Sequence, residues 1–287
     1  MSIIEDIKQQ YKNGGMLNRL IFWNIGCFVI SLIFFWKFSQ TRFDYPEWLA
    51  LSSEPTTALV FPWTLITYAF LHSGFLHLLF NMLILNFTGR LFLTFFTERQ
   101  LLGLYILSAL FAGLVFVGMF NLLGYSGTVV GASGAVIAIL LATTTYRPTM
   151  QVRLLLLGTV RLWHITGVLF IIELMQPLLM NTGGHLAHLG GAIFGFIFMK
   201  LLMNGTDMSL WVNKLTDFIG SIFKPSKKTP FKKVHKNYNT VPKSTTSRIV
   251  TKDKVQQQID DILDKISQSG YDSLTSEEKE FLFKAGK

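Results

Sequence analysis

The chain has 287 residues, half of them apolar and only 15% charged, with a mean hydropathy of +0.41. Soluble domains carry about 25% charge, so this composition excludes an ordinary water-soluble domain. The net charge of +9 is local: residues 224–254 hold ten Lys/Arg against one acid, Asp253, and the rest balances 16 cations with 16 acids.

Residues 1–17 are polar and mixed in charge. They lack the pattern of a cleaved signal peptide and are expected to form a cytoplasmic N-terminal segment. The one cysteine, Cys27, rules out a disulfide within the chain, and no Cys/His cluster suggests a metal.

A membrane span needs about 20 apolar residues. Six stretches approach this: 18–36, 75–96, 101–123, 131–146, 154–175 and 185–204. Trp23 and Trp36 sit near the ends of the first, as interface anchors do. The fourth is short. It suffices only if its Gly131–Ser133 end stops below the surface, inside protein or beside water. The expected architecture is an all-α, polytopic, six-helix membrane bundle over residues 18–205. The connection 37–74 carries Trp48, Phe61, Pro62 and Trp63. It is too long for a plain turn and is expected to lie partly in the interface.

Lys and Arg set the orientation. Lys8, Lys12 and Arg19 precede the first span, Arg99 follows the second, and Arg147 and Arg153 follow the fourth. The segments 124–130 and 176–184 carry no charge. The positive-inside rule then predicts both termini in the cytoplasm. Ser133 and His188 fall at similar depth near the outer face.

After the last span, residues 206–254 read as a basic cytoplasmic linker, flexible over 224–254. The expected partner of its charge is anionic lipid rather than nucleic acid. Residues 255–287 read as a small helical tail. Val255, Ile259, Ile262, Leu263 and Ile266 recur at helical spacing. Gly270 is placed to end that helix, and Thr275–Glu278 forms a capping box for the next. Two such helices have too little core to stand alone, which points to an unidentified cytoplasmic partner or a lipid surface.

The chemistry concentrates in three spans. Ser133 lies in Gly131-Ala132-Ser133-Gly134 and His188 in Ala187-His188-Leu189-Gly190-Gly191. Polar groups in hydrocarbon are expensive, and a Ser and a His at equal depth suggest nucleophile and general base. The bland reading of residues 131–134 is a small-residue packing seam. The pair has no Asp or Glu nearby, so it is a dyad rather than a triad. His185 is the competing base. His188 is preferred because it is deeper and is followed by Gly191 and Gly195, whose spacing permits close helix approach. His77 and Asn81, four apart on one helix face, could bind an oxyanion together with the Ser133 N–H. Their bland reading is interhelical hydrogen bonding. Glu173, His164, Arg161 and His235 are weaker candidates, read as interfacial, packing or solvated groups.

At these residues the chain resembles the rhomboid intramembrane serine proteases. The likeness covers about residues 15–205. It rests on Pro62-Trp63 before Thr67-Tyr68, on His72-x4-His77-x3-Asn81, on Gly131-Ala132-Ser133-Gly134, and on Ala187-His188-x2-Gly191-x3-Gly195. It implies a six-helix bundle that cleaves single-pass membrane proteins near the outer face, without metal or cofactor. It also implies Ser133 as nucleophile, His188 as base, and His77 and Asn81 at the oxyanion. The 37–74 connection would match the family's membrane-lying first loop. Two positions depart from many members: Thr64 stands where they have Arg, and Ile137 where an aromatic ring stacks on the histidine. The tail is similar to those carried by some bacterial rhomboids, which implies a bacterial inner membrane. The rival readings are a transporter, for which no inverted repeat is visible, and a non-catalytic binder of membrane partners.

Overall fold

The computed structural model describes residues 2–37, 42–154, 158–175, 182–223 and 249–285. Of the flexible stretch expected at 224–254, residues 224–248 lie outside the described residues, as do His235 and the side chain of Glu173. The chain divides into two compact units, Met1–Pro225 and Ser226–Lys287.

The first unit begins with α1 (Ile3–Asn13), closed by a capping box between Ser2 and Glu5, and α2 (Gly15–Phe34). The first connection contains a two-residue hairpin, β1 (Trp36–Lys37) with β2 (Arg42–Phe43). Next come β3 (Leu51–Ser52) and the short helices α3 (Pro55–Val60) and α4 (Thr64–Thr67). Helices α5 (Phe75–Leu93) and α6 (Glu98–Leu122) follow, α6 opening on a capping box between Thr97 and Gln100. Then β4 (Thr128–Val129) pairs antiparallel with β3 and leads into α7 (Ser133–Tyr146). The unit ends with α8 (Leu162–Met175), α9 (Thr182–Met203) and α10 (Ser209–Phe223).

Among the described residues, four helices are long and apolar enough to cross a membrane: Gly15–Phe34, Phe75–Leu93, Glu98–Leu122 and Gly183–Met203. The two shorter apolar helices are Ser133–Tyr146 and Leu162–Ile172. The protein is a polytopic helical membrane bundle.

Two expectations need correction. The fifth span was drawn from residue 154. Residues 158–161 instead form β6 (Gly158–Arg161), paired with β5 (Gln151–Leu154). Gly158 has φ +71°, a turn conformation that breaks helical continuity. Hydropathy counts apolar residues but does not see that break. Composition reads residues 206–254 as linker, yet 209–223 form α10, part of the first unit. Its Val212 and Asn213 are buried, and Ser209 packs so closely on α6 that a Cβ at Gly103 would overlap it. Charge counting hid an amphipathic helix of nearly neutral sequence.

Helix α7 is the hub. Ala135, Val136, Ala138, Ile139, Leu140 and Ala142 are all buried. Its 14 residues rise only about 21 Å, less than the roughly 30 Å of a hydrocarbon core. Its close neighbour is α9. A Cβ at Gly191 would strike the Gly134 carbonyl, and one at Gly195 the Ala138 carbonyl. The two backbones therefore touch, which only glycine allows at these two positions.

The bundle has two unlike ends. Arg90 in α5, Arg99 in α6, Arg147 after α7 and Lys200 in α9 mark one end. The Arg147 guanidinium lies over the Phe95 and Tyr146 rings there. The N-terminal ends of α5, α7 and α9, which bring the polar candidates, form the other.

The second unit holds α11 (Ile249–Ser269) and α12 (Ser276–Ala285). Helix α11 starts six residues before the expected boundary. Gly270, at φ +78°, ends it. Thr275 and Glu278 make the capping box: Thr275 N–H donates to Glu278 Oε2 (2.8 Å) and Glu278 N–H to Thr275 Oγ1 (3.3 Å).

Candidate active site

Ser133 is the first residue of α7. The approach to it is fixed in two places. Strand β4 is held by β3, and the Gly131 N–H donates to the Tyr68 carbonyl (2.9 Å). The Tyr68 hydroxyl in turn donates to the Ala109 carbonyl of α6 (2.9 Å). The N–H groups of the first turn of a helix lack intrahelical acceptors. The start of α7 therefore offers open donors beside the Ser133 hydroxyl, at the positive end of the helix dipole.

His188 sits in the second turn of α9. Its Nε2 lies 2.5 Å from Ser133 Oγ. Both residues are half-buried. The contact depends on the glycine faces that bring α9 onto α7. His185, the competitor, is buried and meets the His188 ring edge-on at 5.7 Å between centroids. It neighbours the pair rather than replacing His188 in it.

His77 and Asn81 share one face of α5, as their spacing requires. His77 Nδ1 lies 2.9 Å from Ser73 Oγ and accepts from the Ser73 N–H at 3.3 Å. A ring nitrogen that accepts a backbone N–H holds no proton in the neutral imidazole, so the proton belongs on Nε2. That nitrogen faces Gly131: a Cβ built there would lie 3.0 Å from His77 Nε2 and 3.5 Å from Ser133 Oγ. Gly131, at φ +140°, thus keeps a small gap open between a donor and the hydroxyl. Asn81 is buried, and one N–H of its amide donates to the His77 carbonyl (2.8 Å). The other N–H is left for a further partner.

Ser133, His188, His77, Asn81 and His185 line one cavity of about 330 Å³. Apart from Thr166 its remaining wall is apolar and includes Ile84, Ile137, Leu141, Phe170, Leu189 and Ala192, from α5, α7, α8 and α9. Among the described residues no group of three or more His, Cys, Asp or Glu could hold a metal ion.

Sequence reasoning missed Ser73, which orients His77, and singled out Tyr68 without its role, which is to anchor Gly131. Ser73 had a signal, four residues ahead of His77 at a helix start. The role of Tyr68 had none, because its carbonyl acts through the backbone. Of the two departures, Ile137 is in the cavity wall. Thr64 is buried, its hydroxyl donating to the Phe61 carbonyl (2.7 Å). The loop around it is held by Trp63 Nε1 on the Trp48 carbonyl (2.7 Å) and Thr67 Oγ1 on the Leu49 carbonyl (2.9 Å).

Fold and site together define a multi-pass membrane protein with a hydrogen-bonded serine and histidine on a cavity inside its bundle. The model of the Rhomboid domain matches residues 61–205, and the chain belongs to the rhomboid family. A Rhomboid domain implies intramembrane serine protease activity, exerted on transmembrane substrates within the bilayer. A second match, over residues 250–284, is to a family of unknown function (DUF6576). No curated protein matches the chain.

Proposed function

We propose that this protein is an endopeptidase whose nucleophile is Ser133 and whose general base is His188. The observation that carries this reading is the 2.5 Å hydrogen bond between His188 Nε2 and Ser133 Oγ. With the ring proton on Nδ1, Nε2 takes the hydroxyl proton as Oγ attacks the scissile carbonyl, then returns it to the leaving amine. Water attacks the acyl-enzyme in the second half, with His188 again as base. His77 Nε2–H, Asn81 and the Ser133 N–H stabilise the oxyanion of each tetrahedral intermediate. Gly131 leaves the room for it. Gly134, Gly191 and Gly195 act by packing, since they set the distance between nucleophile and base.

The substrates in this reading are single-pass transmembrane proteins. The apolar cavity accepts side chains of a helix unwound next to Ser133. The cation-rich end of the bundle supports a cytoplasmic placement of both termini. Cleavage then falls near the outer face of a bacterial inner membrane. In the same reading, residues 18–205 form the protease domain, and the tail docks on anionic lipid or a cytoplasmic partner.

The test is cleavage of a single-pass reporter in liposomes by the wild type, Ser133→Ala and His188→Ala. Cleavage by the wild type alone is expected, with each variant reduced by about 10⁴-fold or more. Equal cleavage by Ser133→Ala overturns the assignment of the nucleophile.

A further inference from the structure

Helix α10 has three faces where an ordinary surface helix has two. At 100° per residue, Ser209, Val212 and Asn213 point one way, and these are the buried residues that meet α6. Lys214, Asp217 and Ser221 share a second, mainly polar sector, with Leu210 as its one apolar member. There Asp217 receives both Arg99 nitrogens, at 3.0 and 3.3 Å, beside the start of α6. The third sector, about 100° wide, holds Trp211, Leu215, Phe218, Ile219 and Ile222. All five are exposed, Trp211 by 80% and Phe218 by 64%.

We propose that α10 is an interfacial helix whose Trp211–Ile222 stripe lies in the headgroup–acyl boundary of the bilayer. Three observations select lipid as the occupant. The helix is seated across the end of α6, a helix long enough to span the membrane, so the boundary passes through this part of the bundle. The exposed ion pair of Arg99 with Asp217 puts the polar sector in water, and the apolar sector is turned away from it. The stripe opens on a tryptophan, and the sequence that follows α10 carries eight Lys/Arg and no acid as far as residue 248. That is the charge an anionic surface attracts. A second copy or a soluble partner would explain the apolar sector alone, but neither predicts the cations beyond it. The consequence is that the chain is tied to the membrane at Phe223, not released at the end of α9. This inference does not depend on the serine–histidine assignment.

The full chain in a Cys27→Ala background, with single cysteines at Leu215, Phe218, Ile222 or Ser221, is labelled with an environment-sensitive fluorophore. It is then reconstituted in phosphatidylcholine–phosphatidylglycerol vesicles. An acyl-chain nitroxide is expected to quench the three stripe positions at least about twofold more than Ser221, with iodide showing the reverse order. Equal iodide quenching at all four places the stripe in water and overturns the proposal. Stripe positions reached by neither quencher are covered by protein, which also overturns it. Each variant is first checked against its parent for melting temperature in detergent. The three stripe positions are read independently, so loss of one to misfolding leaves the question decided by the others.

Discussion

Ser73 and Gly131 act on the same imidazole from opposite sides. Ser73 takes up Nδ1 of His77, and Gly131 leaves open the space that Nε2 faces. Ser73→Ala removes the Oγ contact and keeps the backbone N–H on Nδ1, so the tautomer should hold while the ring loses one of its two restraints and can turn. We expect kcat to fall by about tenfold with KM little changed, because in the proposed mechanism His77 donates to the transition state only. Gly131→Ala should be worse. It fills the gap and strains a backbone at φ +140°, and a kcat loss of about 100-fold is expected. Steady-state cleavage of the reporter separates the two effects. The residue types at this site were legible in the sequence, since His77, Asn81, Ser133 and His188 are polar groups in apolar runs. What orients them was not. A carbonyl such as that of Tyr68 has no signature in a side-chain alphabet.

Between elements, the closest approach is α7 on α9, and it rests on two glycines. Gly191→Val would drive a side chain into the Gly134 carbonyl. A loss of about 1–3 kcal/mol or more is expected, seen as a lower melting temperature in detergent. Gly26→Ala in α2 is the contrast, since a Cβ there meets nothing within 4 Å. It should leave the melting temperature unchanged. The seam was legible because Gly191 and Gly195 repeat at four-residue spacing. The β5–β6 hairpin and α10 were not. Apolar content alone cannot tell a hairpin from the first turns of a span, and a nearly neutral helix is hidden beside a run of lysines. In both cases the period of the pattern, rather than its mean, held the information.

At the scale of the whole molecule, the two units differ in kind. The first is stabilised by apolar packing and the second partly by charge. In the second unit, Lys265 Nζ bridges both Glu278 oxygens, at 2.9 and 3.0 Å, linking α11 to α12. With the Thr275 N–H, it holds the Glu278 carboxyl below its usual range. A lowered folded-state pKa stabilises the fold above the carboxylate's ordinary pKa and ceases to as pH falls through the lowered value. Amide protection factors of residues 276–285 in the full chain should therefore fall on acidification through the carboxylate range. Lys265→Ala should reduce protection at neutral pH and flatten that dependence. The tail's helices were readable from their periodicity and capping box. Its purpose was not, because nothing in two largely exposed helices names a partner.

The order of synthesis adds a matter of timing. Val129 pairs with Leu51, and Ser133 meets His188 across 55 residues. At about 5–20 residues per second, the first loop waits about 4–16 s for the strand that fixes it. The serine waits about 3–11 s for its histidine. A chain halfway through insertion thus carries the Ser133 hydroxyl without His188, the base of the proposed mechanism. On that mechanism the growing protein passes its neighbours in the membrane unarmed, and becomes competent only after its last long helix is made.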